Sequence, residues 1–178
     1  MTNEVLNGGI ILNYKIRKVK MGDESRLACI QVESWRAAYT DILSSDNLKK
    51  YLDVEYVTAI YKRLLENNKG NGYIMQVDED DHCIAFWDRA RNTDDTGVAE
   101  IICIHSLQNR WGQGYGSKMM KEILEDIEAQ GYSQVILWVF EKNMRARLFY
   151  EANGFHKTDK SQPALGATEI CYIKSLSH

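Results

Sequence analysis

Six consecutive apolar residues, Val135–Phe140, stand between two stretches of helical periodicity. A run that short and that apolar reads as a strand, and a strand without a polar face needs cover on both sides. Before it, Tyr115, Met119, Met120, Ile123, Leu124 and Ile127 fall at i, i+4, i+5, i+8, i+9 and i+12, one apolar helix face that ends at Gly131. After it, a short helix from Asn143 sets Met144, Leu148, Phe149 and Ala152 on one side and stops at Gly154.

The rest of the chain extends this alternation. Tyr14–Val19 alternates like a half-buried strand, and Met21-Gly22-Asp23 offers a turn and a cap for a helix reaching Tyr39. A second helix carries Val57, Ile60, Tyr61, Leu64 and Leu65. Strands are predicted at Tyr73–Val77, His82–Trp87 and Val98–Ser106, and the tail Ala167–Lys174 is β-like. The four acids Asp78-Glu79-Asp80-Asp81 read as a solvated hairpin turn. The sum is an α/β fold: one domain over residues 14–178, a mixed central sheet flanked by about four helices, and an N-terminal extension over 1–13.

Charge narrows the partners. Twenty-two basic and twenty-five acidic side chains give a net −3, without the basic footprint of a nucleic-acid binder. No segment approaches the ~20 apolar residues that cross a bilayer, and no signal-peptide core is present, so a cytoplasmic protein without a membrane partner is expected. Cys29, Cys83, Cys103 and Cys171 have no metal or redox spacing; buried free thiols and no metal are the expectation. The composition leaves room for a homodimer.

Chemistry concentrates between Glu100 and Phe155. Arg110-Trp111-Gly112-Gln113-Gly114-Tyr115-Gly116-Ser117 joins a strand to a helix, with glycine at every second position. Such a turn bends tightly and aims backbone N–H groups to one side, and the helix behind it adds free N–H groups, a setting for phosphate oxygens. A dinucleotide fingerprint does not fit, because the spacing is G-x-G-x-G and no acid follows near Gln134 until Glu141. A nucleoside triphosphate loop fails as well, since the order here is Gly116-Ser117-Lys118.

The segment resembles the Gcn5-related N-acetyltransferase (GNAT) family, whose signature Q/R-x-x-G-x-G/A follows its fourth strand. Trp111-Gly112-Gln113-Gly114-Tyr115-Gly116 keeps the two final glycines and departs at the first position, where Trp111 replaces Gln or Arg. A later family motif, N-x-x-A-x-x-F-Y-x-x-x-G-F, is matched by Asn143, Ala146, Phe149-Tyr150 and Gly154-Phe155. Trp35-Arg36-Ala37-Ala38-Tyr39 and the element order are similar to the family's first half.

The resemblance implies an acetyl-CoA-dependent N-acetyltransferase. Its acceptor would be a primary amine, a small molecule or polyamine ahead of a protein N-terminus or lysine. Ile104, His105 and Ser106 would pair with the pantetheine arm. Gly112, Gln113, Gly114, Tyr115, Gly116 and Ser117 would hold the pyrophosphate, and Asn143 would cap its helix, contact the cofactor arm, or do both. Tyr150 matches the family's acid for the leaving thiolate. Glu100, fourteen residues before Gly114, matches the general base of some members. Trp35 and Tyr39, at i and i+4, would wall the acceptor cleft or pack the core. Without a bulge, Glu100 shares a strand face with Ile102 and Ile104, opposite His105. The loops Thr40–Lys50 and Thr158–Ala167 are the expected seat of acceptor specificity. An alternative is a catalytically inactive acetyl-CoA-binding module, in keeping with Trp111.

Overall fold

A computed structural model of the chain describes residues 3–7, 10–91 and 93–176. Its elements run β1 (Asn3–Asn7), β2 (Ile10–Lys18), α1 (Glu24–Tyr39), α2 (Ser45–Leu48), α3 (Val54–Glu66), β3 (Asn71–Val77), β4 (Asp80–Arg89) and β5 (Val98–Ser106). They continue with α4 (Tyr115–Ala129), β6 (Gln134–Phe140), α5 (Met144–Ala152), β7 (His156–Ala164) and β8 (Ala167–Ser175). Short 3-10 turns at Lys49–Leu52 and Gln108–Arg110 complete the list.

All eight strands join one sheet in the order β1-β2-β3-β4-β5-β6-β8-β7. Every pairing is antiparallel except β5 with β6, so the sheet is mixed as expected. The fifth helix is the single turn α2, too short to show periodicity. The stretch 1–13 holds β1 and the first residues of β2, which pair antiparallel with each other.

Two apolar layers sandwich the sheet. On one face Leu27, Ala28, Ile30 and Val32 of α1 meet Val57 and Tyr61 of α3 over Ile74, Ile84 and Phe86. On the other, Met119, Met120, Ile123 and Ile127 of α4 cover Ala85, Trp87, Ala99 and Leu137. The apolar face read into α5 is corrected: Met144 and Leu148 are exposed, and Tyr150 is the buried residue of that helix. Cys83 and Cys171 are buried free thiols, but Cys29 points outward from α1, against the expectation.

The predicted loop Thr158–Ala167 is also corrected. It is the edge strand β7, returning through Leu165-Gly166 into β8. Its sequence is nearly all polar because an edge strand has little to bury, and Pro163 is tolerated where one edge lacks a partner. Asn47, from the other predicted loop, donates from Nδ2 to the Leu165 carbonyl at 2.8 Å. The two expected specificity segments therefore touch.

Asp23 occupies the cap position of α1 but makes no cap hydrogen bond. Its carboxylate is buried and accepts two hydrogen bonds from Arg17, at 2.7 and 2.8 Å, and one from the Lys20 N–H at 2.9 Å. Arg26 adds a contact at 3.3 Å. This ties β2 to α1. The Arg17 guanidinium holds the Asp23 carboxyl below the usual carboxylate range. A depressed folded-state value contributes stability above the unfolded value of about 3.9, and that contribution disappears as pH falls through the folded one. Asp23→Ala should cost about 3 kcal/mol in urea melts at neutral pH, and the cost should shrink below about pH 4.

Candidate active site

The site begins where two strands part. β5 pairs with β4 along its length, from Ala99 to Ser106, but β6 accompanies it only from Val98 to Ile101. Beyond Ile101 the β6-facing edge of β5 has no neighbouring strand. At the same point the β4 register jumps from Trp87↔Ile101 to Phe86↔Cys103, which leaves Ile102 as an extra, exposed residue. A bulge resets side-chain alternation. Ala99, Ile101 and Ile104 pack toward α4, whereas Cys103 faces α1 and α3. Glu100 therefore shares its face with Cys103 and His105, not with Ile104, and the parity expected from even numbering is corrected.

One cleft opens on the loop side of this gap, with a volume of about 270 Å³. Ile104, Ser106, Gly112, Gly114, Gly116, Ser117, Arg145 and Tyr150 are among its walls. Gly112 and Gly114 have φ of +77° and +84°, and a side chain on either would project into open space. Gly116 is small for another reason: a Cβ there would stand 3.1 Å from the Phe149 ring. No side chain caps α4, and its first internal bond runs from Lys118 N–H to the Gly114 carbonyl. The N–H groups of Tyr115, Gly116 and Ser117 are thus left for an external acceptor. A free strand edge beside a ring of backbone donors suits an amide-bearing arm that ends in a diphosphate, so the residues present fit coenzyme A.

The other proposed cofactor residues are placed less uniformly. Trp111 donates from Nε1 to the Ser106 carbonyl at 3.0 Å and to Ser106 Oγ at 3.1 Å, tying the loop to the end of β5. Tyr115 is buried against Tyr14 and His82, with ring centroids 6.5 and 5.3 Å apart. Asn143 caps α5, its Oδ1 accepting from Ala146 N–H at 3.1 Å. Neither Asn143 nor the exposed Gln113 is among the cleft's lining residues.

A second cavity, of about 460 Å³, lies on the α1 side. Trp35, Tyr39, Tyr61, Phe86, Trp138 and Phe140 give it an aromatic wall. Trp35 packs edge-on to Tyr39 at 5.0 Å, and Tyr39 edge-on to Phe140 at 5.2 Å. His105 opens here rather than into the cofactor cleft, and its Nε2 accepts from Trp35 Nε1 at 3.4 Å. That bond leaves the ring proton on Nδ1.

Ile104 and Tyr150 are the two residues that line both spaces. Burial pushes the Tyr150 phenol well above its ordinary value, so it stays protonated at neutral pH. Among the described residues its hydroxyl has no hydrogen-bond partner. Glu100 is buried and lines neither cavity. Its carboxylate is gripped by Arg91, through Nη2 at 2.5 Å, Nε at 3.1 Å and the backbone N–H at 3.1 Å.

Several site residues carry no pattern that sequence reasoning could use. His82 is the extra residue of a second bulge, where Met75 pairs with Cys83 and Gln76 with Asp81. It is buried at the cofactor cleft with Nδ1 unpartnered. The acidic run is the exposed β3–β4 hairpin turn expected, and its acids also reach partners: Asp78 and Asp80 hold Arg110, and Asp81 holds Arg26. Opposite charges 30 to 55 positions away in the chain announce no pairing.

Burial lowers both His82 and His105 to about 4, with Arg110 adding to the effect at His82. A histidine depressed in the folded state gives stability that falls as pH drops from the unfolded value of ~6.5 toward the folded one. Imidazole ¹⁵N shifts should show both rings neutral from pH 8 to about 5. Titration of either near pH 6.5 would contradict the burial described.

Residues 32–155 match the "Acetyltransferase (GNAT) family". A curated relative, the uncharacterized N-acetyltransferase YuaI of Bacillus subtilis (strain 168), is 27% identical over 139 residues, 77% of each chain. The PaiA N-acetyltransferase of Thermoplasma acidophilum, crystallised with coenzyme A, superposes with a TM-score of 0.78 at 18% identity, covering 92% of this chain and 99% of that one. The putative acetyltransferase YncA of Salmonella typhimurium, solved with acetyl-CoA, gives 0.71 at 15% identity, covering 93% and 95%. The splayed strand pair, the glycine loop and a match over most of its length agree: this chain is an N-acetyltransferase and belongs to the GNAT family.

Proposed function

We propose that the enzyme moves the acetyl group of acetyl-CoA to a primary amine that enters the aromatic cavity and attacks the thioester directly. The observation that carries this reading is the placement of Tyr150 between the two spaces. Bound acetyl-CoA supplies the thioester carbonyl. Ile104, His105 and Ser106 offer it a strand edge, and the backbone of Gly112–Ser117 takes its phosphates.

An alkyl ammonium of pKa about 10 must lose a proton before it can attack. The aromatic cavity helps by withholding water, since burial disfavours the charged form of an amine. The aromatic wall of Trp35 and Tyr39 offers the cation a π surface, while the charged side chains of the lining, Asp88 and Glu169 with Lys69, Arg89 and Arg91, carry both signs. Tyr150, kept protonated by burial, holds the proton that the departing thiolate requires.

Glu100 takes a different part from that of a base. Its oxygens are occupied by Arg91, which itself lines the acceptor cavity. Glu100 positions Arg91 at that wall, and the amine's proton leaves through solvent at the cavity mouth. A small amine suits a recess of this size, open to solvent at its mouth, better than a folded protein surface.

Thiol release from acetyl-CoA across a panel of diamines, polyamines and amino sugars tests the reading. At least one should turn over; binding of acetyl-CoA with no turnover on any amine would favour an inactive binding module. Tyr150→Phe should lower kcat about 100-fold and leave the acetyl-CoA dissociation constant nearly unchanged. Glu100→Gln should lower thermal stability and raise the amine KM while keeping the pH profile of kcat. A kcat that collapses with its basic limb displaced would restore Glu100 as the base.

A further inference from the structure

Position 111 lacks the polar side chain that the family signature carries, yet the cleft is not left without a cation. Arg145, in the first turn of α5, lies over the Trp111 indole with its guanidinium carbon 3.5 Å from the ring centroid. The indole is itself fixed by its two bonds to Ser106. The stack therefore joins three elements: the end of β5, the glycine loop and α5.

Arg145 also lacks a counter-charge. Among the described residues no carboxylate lies within ion-pair distance of it, and its side chain reaches solvent at the cleft mouth. The other arginine of the cleft, Arg110, is already neutralised by Asp78 at 2.8 Å and Asp80 at 3.5 Å. An unpaired guanidinium held over an aromatic ring at the cleft wall is arranged to receive an anion, because stacking on the ring consumes none of its donors.

We infer that Arg145, oriented by Trp111, binds the diphosphate of the donor and takes the place of the Gln or Arg missing from position 111. The inference rests on the acetyl-CoA reading above. The cation has moved from the loop to the facing helix, and Trp111 is its platform. A guanidinium matches two phosphate oxygens through paired N–H groups, so the stack supplies geometry as well as charge.

Calorimetric titration of wild-type protein and Arg145→Met tests this with three probes. Coenzyme A has both the diphosphate and the ribose phosphate; dephospho-coenzyme A keeps only the diphosphate; S-acetyl-pantetheine has neither. Arg145→Met should bind the first two about ten- to a hundred-fold more weakly and S-acetyl-pantetheine as the wild type does. Trp111→Ala should show the same pattern, and the double variant should be no weaker than either single one. Equal binding of coenzyme A by wild type and Arg145→Met overturns the inference. A loss seen with coenzyme A but not with its dephospho form assigns Arg145 to the ribose phosphate and overturns it too. Additive losses would remove Trp111 as the platform. Wild-type protein that binds no probe at all would fell the acetyl-CoA reading beneath it, a result distinct from all of these.

Discussion

Everything functional in this fold depends on β5 and β6 ceasing to pair after Ile101. A parallel pair that continued would bury its ladder and leave no entrance to the sheet's interior. The separation instead exposes a strand edge at the centre of an eight-stranded sheet, where flanking layers of helices keep the surroundings dry. Water competes poorly with hydrogen bonds made there, so they count for more. The Ile102 bulge coincides with the separation and turns His105 toward α1, so one backbone irregularity apportions side chains between the two cavities.

Local periodicity made much of the architecture legible. The apolar faces of α3 and α4 and the run Val135–Phe140 come through because each element buries one continuous surface. β7 was illegible for the complementary reason: at an exposed edge, propensity and burial carry little signal, and a polar strand looks like a loop. Side-chain parity in β5 failed at Ile102, since nothing in the residue's identity marks a bulge.

The site divides in the same way. Gly112 and Gly114 were readable because their positive φ demands glycine, Gly116 because the Phe149 ring stands over it, and Tyr150 because its motif fixes its place on α5. Charge partners were not. Arg91 with Glu100, Arg110 with Asp78 and Arg145 with Trp111 are meetings across loops, decided by how the sheet brings its ends together. Glu100, which its spacing marks as a candidate base, has a partner in Arg91 that the spacing does not announce.

The aromatic cavity, the proposed acceptor site, is bordered on one side by Leu165, at the tip of the β7–β8 hairpin, where Leu165 and Gly166 both have positive φ. The tip is therefore a stiff two-residue reversal joined to continuous strands, not a length-tolerant loop. One residue inserted within either strand beside it would slip the pairing and invert which side chains face the cavity, and two would preserve them. Acceptor choice along such a lineage would then change in jumps of paired insertions, with single-residue length changes selected against.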